Sequence, residues 1–174
     1  MKHKFHWLNP KLKPQKANER GFGLFAKQDI AKDELLIVFG GYVLPLKEEE
    51  KLPGKLSDNG VQISEDLSLC VVKLEEYAGH NFLNHSCEPN AGFRGQIFIK
   101  AIKKIKEGDE VAIDYAMVLY HSKNAPPYHL ECKCGKKKCR GIITDNDWKK
   151  PELQTKYDGY FQYFIQEKIN KNRK

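Results

Sequence analysis

Three cysteines crowd into one short stretch of the chain, at Cys132, Cys134 and Cys139. Structural zinc is held by four tetrahedral ligands, with thiolate sulfur at ~2.3 Å, and a tight loop of this kind can supply three of them. The fourth must come from elsewhere in the chain. The candidates are two further cysteines and, after them, two histidines: Cys87, Cys70, His121 and His129. Because free thiols crowded on a loop would be reactive, the spacing favours a metal site over unliganded cysteines.

A second cluster of hydrogen-bonding side chains lies between Asn81 and Asn90. Its sequence is Asn81-Phe82-Leu83-Asn84-His85-Ser86-Cys87-Glu88-Pro89-Asn90, so an apolar pair stands among amides, a histidine, a serine and a cysteine. That mixture is unusual for a surface loop, although a polar turn before a strand is the alternative. We therefore treat the stretch as a second candidate site.

Short β-strands are expected to position these clusters. The strand-like segments follow Gly23 and then recur at residues 35–39, 42–44, 61–63, 67–74, 96–102 and 111–115. There is no alternation of strands with helices, and Gly21–Gly23 lacks the rest of the G-x-G-x-x-G motif, so a Rossmann fold is excluded. Residues 1–19 are predicted to be irregular, since Pro10 and Pro14 oppose regular structure.

Helical periodicity is convincing only near the C-terminus. Apolar residues recur there at spacings of three and four: Leu153, Tyr157, Tyr160, Phe161, Phe164, Ile165 and Ile169. Pro151 suits the first turn of such a helix. Gly159 costs about 1 kcal/mol relative to alanine, which predicts a break at that point.

Composition limits the class of protein. The chain has 174 residues, 40% of them hydrophobic, which fits one folded domain. It has no apolar run of roughly 20 residues and no secretory signal, so we expect a soluble intracellular protein of the cytoplasm or nucleus, with export to a host cell as an open alternative. Its five cysteines, an odd number, argue against a disulfide framework. The net charge of +7 is compatible with nucleic acid, but only weakly favours it, because the lysines are spread over both termini.

Five segments in order resemble the SET-domain family of protein lysine methyltransferases, over roughly residues 18–145. They are Arg20-Gly21-Phe22-Gly23-Leu24-Phe25-Ala26, Phe39-Gly40-Gly41, Asn84-His85-Ser86-Cys87-x-Pro89-Asn90, Glu110-Val111-Ala112-Ile113-Asp114-Tyr115, and the cysteine segment from Cys132 to Gly141. The resemblance implies a mainly β (α+β) fold of several small sheets with a knot-like crossing of the Asn84 and Tyr115 segments. The expected parts are a basic N-terminal segment (1–17), a SET domain (18–127), a post-SET zinc segment (128–145) and a C-terminal helix (146–174).

The same resemblance implies two ligands. The first is S-adenosylmethionine, and the residues expected to bind it are Arg20, Gly21, Phe22, Gly23, Asn84, His85 and Tyr115. The second is Zn²⁺, with Cys87 as the fourth ligand beside Cys132, Cys134 and Cys139. Asp114 is expected to brace the crossing.

Tyr115 is the predicted catalytic residue, because its hydroxyl can orient a substrate amine. Phe39 and Ile113 are predicted to line the lysine channel. The family usually has tyrosine at the position of Phe39 and often arginine at that of Asn81. In the family, tyrosine at the position of Ile113 tends to stop transfer at one methyl group, so the apolar pair here predicts more than one. The expected partner is a protein with an exposed lysine, a histone tail or another basic protein. A SET-fold binding module with weak or lost catalysis is the alternative.

Overall fold

The computed structural model describes residues 5–17, 21–57 and 59–173. The strands in chain order are β1 (Trp7–Leu8), β2 (Leu12–Lys16), β3 (Phe22–Ala26), β4 (Leu35–Val38), β5 (Tyr42–Pro45), β6 (Val61–Gln62), β7 (Leu67–Cys70), β8 (Asn84–His85), β9 (Ala91–Arg94), β10 (Phe98–Ala101), β11 (Glu110–Ile113), β12 (His129–Glu131) and β13 (Ile142–Thr144). The α-helices are α1 (Leu46–Glu49), α2 (Pro151–Lys156) and α3 (Tyr163–Asn172).

The strands form several small sheets rather than one large one. Two sheets have four strands, in the orders β1-β4-β10-β9 and β2-β3-β11-β8; the others are β5-β7-β6 and the hairpin β12-β13. A continuous hydrophobic core joins the four-stranded sheets, and Leu24, Ile37, Phe93 and Val111 are fully buried in it. Burial of each such side chain contributes about 1.5–3 kcal/mol. The predicted mainly β class is confirmed.

The N-terminal segment corrects one prediction. Residues 7–8 and 12–16 are strands, so the expectation of an irregular segment is wrong for this part of the chain. Pro14 lies opposite Leu24 in β2, which is an edge strand of its sheet. An edge strand tolerates proline because one side of it makes no ladder hydrogen bonds. The segment therefore belongs to the two main sheets.

The C-terminal helices follow the predicted periodicity. Pro151 occupies the first turn of α2, and Gly159 takes a left-handed φ of 74° in the break before α3. The apolar side chains from both helices enter the main core: Leu153, Tyr157, Phe161, Ile165 and Ile169. The Phe93 N–H donates to the Tyr160 carbonyl at 3.0 Å, which ties the break to β9. Among the described residues, no helix has the length and apolar character needed to cross a membrane.

Two motif segments lie side by side at the centre of the fold. Strand β8 pairs in parallel with β11, with Asn84 opposite Ala112 and His85 opposite Ile113. The Asn90 side chain reinforces the pairing, since its Nδ2 donates to the Glu110 carbonyl at 2.8 Å and its Oδ1 accepts from the Ala112 N–H at 2.9 Å. This pairing brings the end of β11, and Tyr115 after it, next to His85.

Candidate active site and cysteine cluster

Two cavities share Tyr115 and Tyr128 in their walls. One, which we call the Phe39 cavity, has a volume of about 480 Å³ and is also lined by Phe39 and Ile113. The other, the Asn84 cavity, has a volume of about 470 Å³. Its remaining lining residues are Asn84, His85, Leu130, Glu131, Cys132, Lys133 and Cys134. Tyr115 and Tyr128 therefore stand at the boundary between the two cavities.

Tyr115 is held by contacts on its backbone, its ring and its hydroxyl. Its N–H donates to His85 Nδ1 at 3.1 Å, and the His85 ring lies edge-on to the Tyr115 ring with centroids 5.2 Å apart. Its hydroxyl donates to the Leu83 carbonyl at 3.3 Å. Asp114 accepts from the Ala116 N–H at 3.0 Å and so shapes the turn that carries the tyrosine. A hydroxyl fixed in this way is suited to orienting a bound reactant.

Asn84 joins its own strand to two other segments of the chain beside the Asn84 cavity. Its Nδ2 donates to the Phe22 carbonyl at 3.1 Å and to Glu110 Oε1 at 2.8 Å. Gly23 is pressed against the same group, because a Cβ there would lie 2.5 Å from Glu110 Oε1 and 3.0 Å from Asn84 Nδ2. Only glycine lets the backbone approach this closely.

Only some of the residues expected to bind the cofactor line the Asn84 cavity. Asn84, His85 and Tyr115 line the Asn84 cavity, whereas Gly21, Phe22 and Gly23 are not among its lining residues. Gly21 has a φ of 79°, which glycine adopts without strain. Arg20 falls outside the described residues.

The four expected zinc ligands are brought together. The sulfurs of Cys87, Cys132, Cys134 and Cys139 all lie within 4.8 Å of one another, with Cys87 and Cys132 3.9 Å apart. A tetrahedron of ~2.3 Å zinc–sulfur bonds places its sulfurs ~3.8 Å apart, so the cluster fits a zinc ion. Cys70 lies elsewhere, where its thiol donates to the Tyr42 carbonyl at 3.8 Å.

The cysteine cluster differs in proton affinity from one thiol to the next. Burial raises the pKa of Cys87 to about 11 and also raises the pKa of Cys132. Burial acts in the same direction on Cys134, but hydrogen bonds from the backbone N–H groups of Cys87 and Lys136 outweigh it and lower its pKa to about 7. A metal ion must displace the protons that Cys87 and Cys132 hold, so its affinity should increase with pH.

Arg140 connects the cysteine loop to the turn at Tyr115. Its N–H donates to Cys87 Sγ at 3.3 Å. Its guanidinium donates two hydrogen bonds to the fully buried Asp114, of 2.5 and 2.7 Å, and one to Asp147 at 3.0 Å. The Tyr157 hydroxyl donates to Asp114 Oδ2 at 2.9 Å. Asp114 thus joins the turn that carries Tyr115 to the cysteine loop and to the C-terminal end of α2. Arg140 was not singled out from the sequence, although it directly follows Cys139, and Tyr157 was identified only as an apolar residue of the C-terminal helix.

A family model described as the SET domain matches residues 21–116 of the chain. The chain therefore belongs to the SET-domain family.

Several curated relatives match this SET domain. The chain is 34% identical over 134 residues to histone-lysine N-methyltransferase 2B of Homo sapiens, covering 71% of this chain and 5% of that protein. It is 28% identical over 151 residues to histone-lysine N-methyltransferase mes-4 of Caenorhabditis elegans, covering 71% of this chain and 16% of that protein. The chain thus spans only a small part of the length of these relatives.

Two solved structures have a fold similar to that of this chain. The methyltransferase domain of human SETMAR superposes with a TM-score of 0.56 at 24% identity, covering 78% of this chain and 58% of that one. KRYPTONITE, solved in complex with mCHG DNA and SAH, gives a TM-score of 0.58 at 18% identity, covering 78% of this chain and 29% of that one.

The Phe39 cavity of this SET domain has an apolar wall and an acidic part. Phe39 and Ile113 are 7% and 3% exposed, and both line it. Glu49, Glu50 and Asp145 also line it. The buried Glu49 accepts from the Gly60 N–H at 2.7 Å through Oε1. No signal in the sequence indicated Asp145 at this cavity, because only the fold brings residue 145 there.

Proposed function

We propose that the protein is a protein-lysine N-methyltransferase that uses S-adenosylmethionine. The observation that carries this proposal is the sharing of Tyr115 by the Phe39 and Asn84 cavities. Transfer of a group between two reactants requires two sites that open onto one point, with the reacting atoms aligned there. An amine from the Phe39 cavity and a methyl group from the Asn84 cavity would meet at Tyr115.

The Asn84 cavity is the proposed cofactor site. S-adenosylmethionine, when bound, supplies a methyl group on a positively charged sulfur. Asn84 and His85, which line this cavity, would hold its polar ends. The structurally similar KRYPTONITE was solved with SAH, which supports this assignment.

The Phe39 cavity is the proposed lysine channel. Phe39 and Ile113 offer an apolar wall to the methylene stem, and burial favours the neutral amine that must react, because desolvation lowers the pKa of an ammonium group. The Tyr115 hydroxyl would orient that amine towards the methyl group. Its fixed position at the Leu83 carbonyl supports this role.

A basic protein is the proposed substrate. Glu49, Glu50 and Asp145 give the Phe39 cavity negative charge, which complements lysine-rich segments. Val61 and Gln62 also line the cavity, and they form β6, an edge strand of the β5-β7-β6 sheet. An extended peptide can add to such an edge by backbone hydrogen bonds. The curated relatives are named histone-lysine methyltransferases, so we propose a histone tail or another basic protein.

Zinc is the proposed occupant of the cysteine cluster, in a structural role. The four sulfurs fit a closed tetrahedral site, which leaves no open position for chemistry. The ion would fasten the loop at 132–141 to Cys87 after β8. Since Cys132 and Cys134 line the Asn84 cavity, zinc would also complete the cofactor site.

Labelled cofactor tests the proposal. Purified protein is incubated with tritiated S-adenosylmethionine and a panel of core histones and basic ribosomal proteins, while calorimetry measures cofactor binding. We expect binding and transfer to at least one protein. Binding without transfer would favour the alternative, a SET-fold binding module, for which the missing hydroxyl at Phe39 is the supporting observation. Absence of both would overturn both proposals.

A further inference from the structure

His80 is a buried polar residue in the wall of the Phe39 cavity. Its side chain is 4% exposed, and its Nδ1 is buried without a hydrogen-bond partner. Within the described residues the imidazole makes no hydrogen bond through either nitrogen. Buried polar groups in folded proteins are nearly always paired, and exceptions call for an explanation. Nδ1 itself is closed to solvent, but His80 lines the cavity, so Nε2 is the ring nitrogen that a molecule in the cavity can reach.

The His80 ring is held firmly on two sides. Phe39 lies edge-on to it, with centroids 6.0 Å apart, and the His6 ring packs on it at 3.6 Å. The segment that carries His6 is pressed against the turn after Phe39, since a Cβ on Gly40 would lie 1.6 Å from the Phe5 carbonyl oxygen. The imidazole therefore has little freedom to turn away from the cavity.

The His80 ring is also uncharged at physiological pH. Burial, together with the nearby His6, lowers its pKa to about 3. A neutral imidazole has one nitrogen that accepts a hydrogen bond. It cannot act as a proton-holding base near pH 7, but it can accept from an amine N–H without repelling it.

We propose that His80 positions the substrate amine, by accepting a hydrogen bond from the Nζ–H of the lysine that enters the Phe39 cavity. This inference rests on the proposed methyltransferase function. Phe39 presents no polar atom, and Ile113 presents none, so His80 supplies hydrogen bonding from the wall that these residues share. The hydrogen bond would hold the amine while Tyr115 directs it.

The number of N–H groups on the amine gives a specific readout. A neutral lysine amine has two N–H groups, a monomethylated one has one, and a dimethylated one has none. His80 can therefore assist the first and second transfers and not the third. A residue that is only structural would affect all three alike.

The experiment compares His80→Phe with wild type on three synthetic peptides. Each carries the lysine found to be modified in the panel of basic proteins, as the unmethylated, monomethylated or dimethylated form. We expect kcat to decrease about tenfold on the first two peptides, the effect of one hydrogen bond, and to stay unchanged on the third. Cofactor affinity by calorimetry should not change. His6→Phe, which alters the stacked ring outside the cavity lining, is the control and should decrease kcat less.

A double variant tests the role of His80 without the dimethylated peptide. Phe39→Tyr combined with His80→Phe returns a polar group to the same wall, and we expect it to recover part of the lost kcat. If His80→Phe does not fold, His80→Asn and His80→Leu are compared instead, because their side chains are close in size. The His80→Asn variant should keep a higher kcat for the first transfer than the His80→Leu variant, because its amide oxygen can accept the hydrogen bond. Equal activity of that pair, wild-type kcat in His80→Phe, or uniform loss without recovery would overturn the role of His80. A wild-type protein that transfers no methyl group would instead overturn the proposed function.

Discussion

The two cavities that meet at Tyr115 are built in different ways. The Asn84 cavity takes its walls from two short stretches, residues 84–85 and 128–134, together with Tyr115. The Phe39 cavity draws on many separate segments between residues 39 and 145. The first lies against the cysteine cluster, where we propose a zinc ion, and against the Arg140 bridge, whereas the wall of the second around Phe39 is held by packing of rings and aliphatic side chains. Changes to the cysteine cluster or to Arg140 should therefore affect the proposed cofactor site, and changes to the packed wall should affect the proposed lysine channel.

Loss of the metal should cause the largest change. Wild type is expected to contain one zinc ion per chain, and Cys87→Ser to lose it, because the thiolate after β8 is one of four ligands. Residues 128–145 should then exchange amide hydrogens faster, cofactor affinity should decrease by at least ~10-fold, and transfer should cease. Metal analysis, hydrogen exchange and calorimetry measure these outcomes. Cys70→Ser, a buried cysteine outside the cluster, is the control and should keep its zinc. Zinc retained in full by Cys87→Ser would contradict the assignment.

Removal of one hydroxyl at the junction should affect transfer and not binding. Tyr115→Phe is expected to keep the fold and the cofactor affinity while kcat decreases ~10²-fold or more, since a hydroxyl that acts in the transition state contributes to kcat. Single-turnover assays with labelled cofactor measure it. Tyr128→Phe changes the other residue shared by both cavities and should have a smaller effect. A Tyr115→Phe variant as fast as wild type would show that Tyr115 is structural.

The bridge through Arg140 should contribute mainly to stability. Arg140→Met leaves Asp114 buried without its guanidinium partner, which costs about 3–5 kcal/mol of unfolding free energy. Lys150 also binds Asp147, at 2.9 Å, but its side chain is 43% exposed. Lys150→Met is therefore expected to cost about 1 kcal/mol or less. Urea denaturation of the metal-loaded proteins measures both values. Equal losses in the two variants would show that the Arg140 bridge is no stronger than a surface ion pair.

The contrast between the cavities also explains which features the sequence could predict. Spacing alone marked Cys132, Cys134 and Cys139, whereas Cys87, Asn84 and Tyr115 were assigned through motifs that resemble the SET-domain family. The break at Gly159 follows from local propensity. Strand β2 was missed because Pro14 is acceptable only at a sheet edge, and edge position is a property of the whole fold. His80, Asp145 and Arg140 were missed for a related reason. Each acquires its role from residues distant in the chain, so no local pattern marks it.

The smallest expected effect concerns the number of methyl groups added to the lysine, which tests the proposed lysine channel. Ile113 is 3% exposed and lines the Phe39 cavity beside Phe39. Neither side chain has a hydroxyl to hold a water molecule in the space that a methylated amine needs, so we expect dimethyl and trimethyl products. The alternative is that Ile113 only fills core volume.

Mass spectrometry of the modified peptide, sampled over time with excess cofactor, decides whether Ile113 controls the number of methyl groups or only fills core volume. Ile113→Tyr places a hydroxyl in the cavity wall and should shift the product towards fewer methyl groups, whereas Ile113→Leu changes shape without adding a polar atom and should not. The shift should change the product ratio more than the rate of the first transfer, because the unmethylated amine is the smallest and needs the least room. A wild-type product that remains monomethylated at long times would contradict the prediction. If Ile113→Tyr slowed all transfers equally, the side chain would serve packing, and control of product number would lie in another part of the wall.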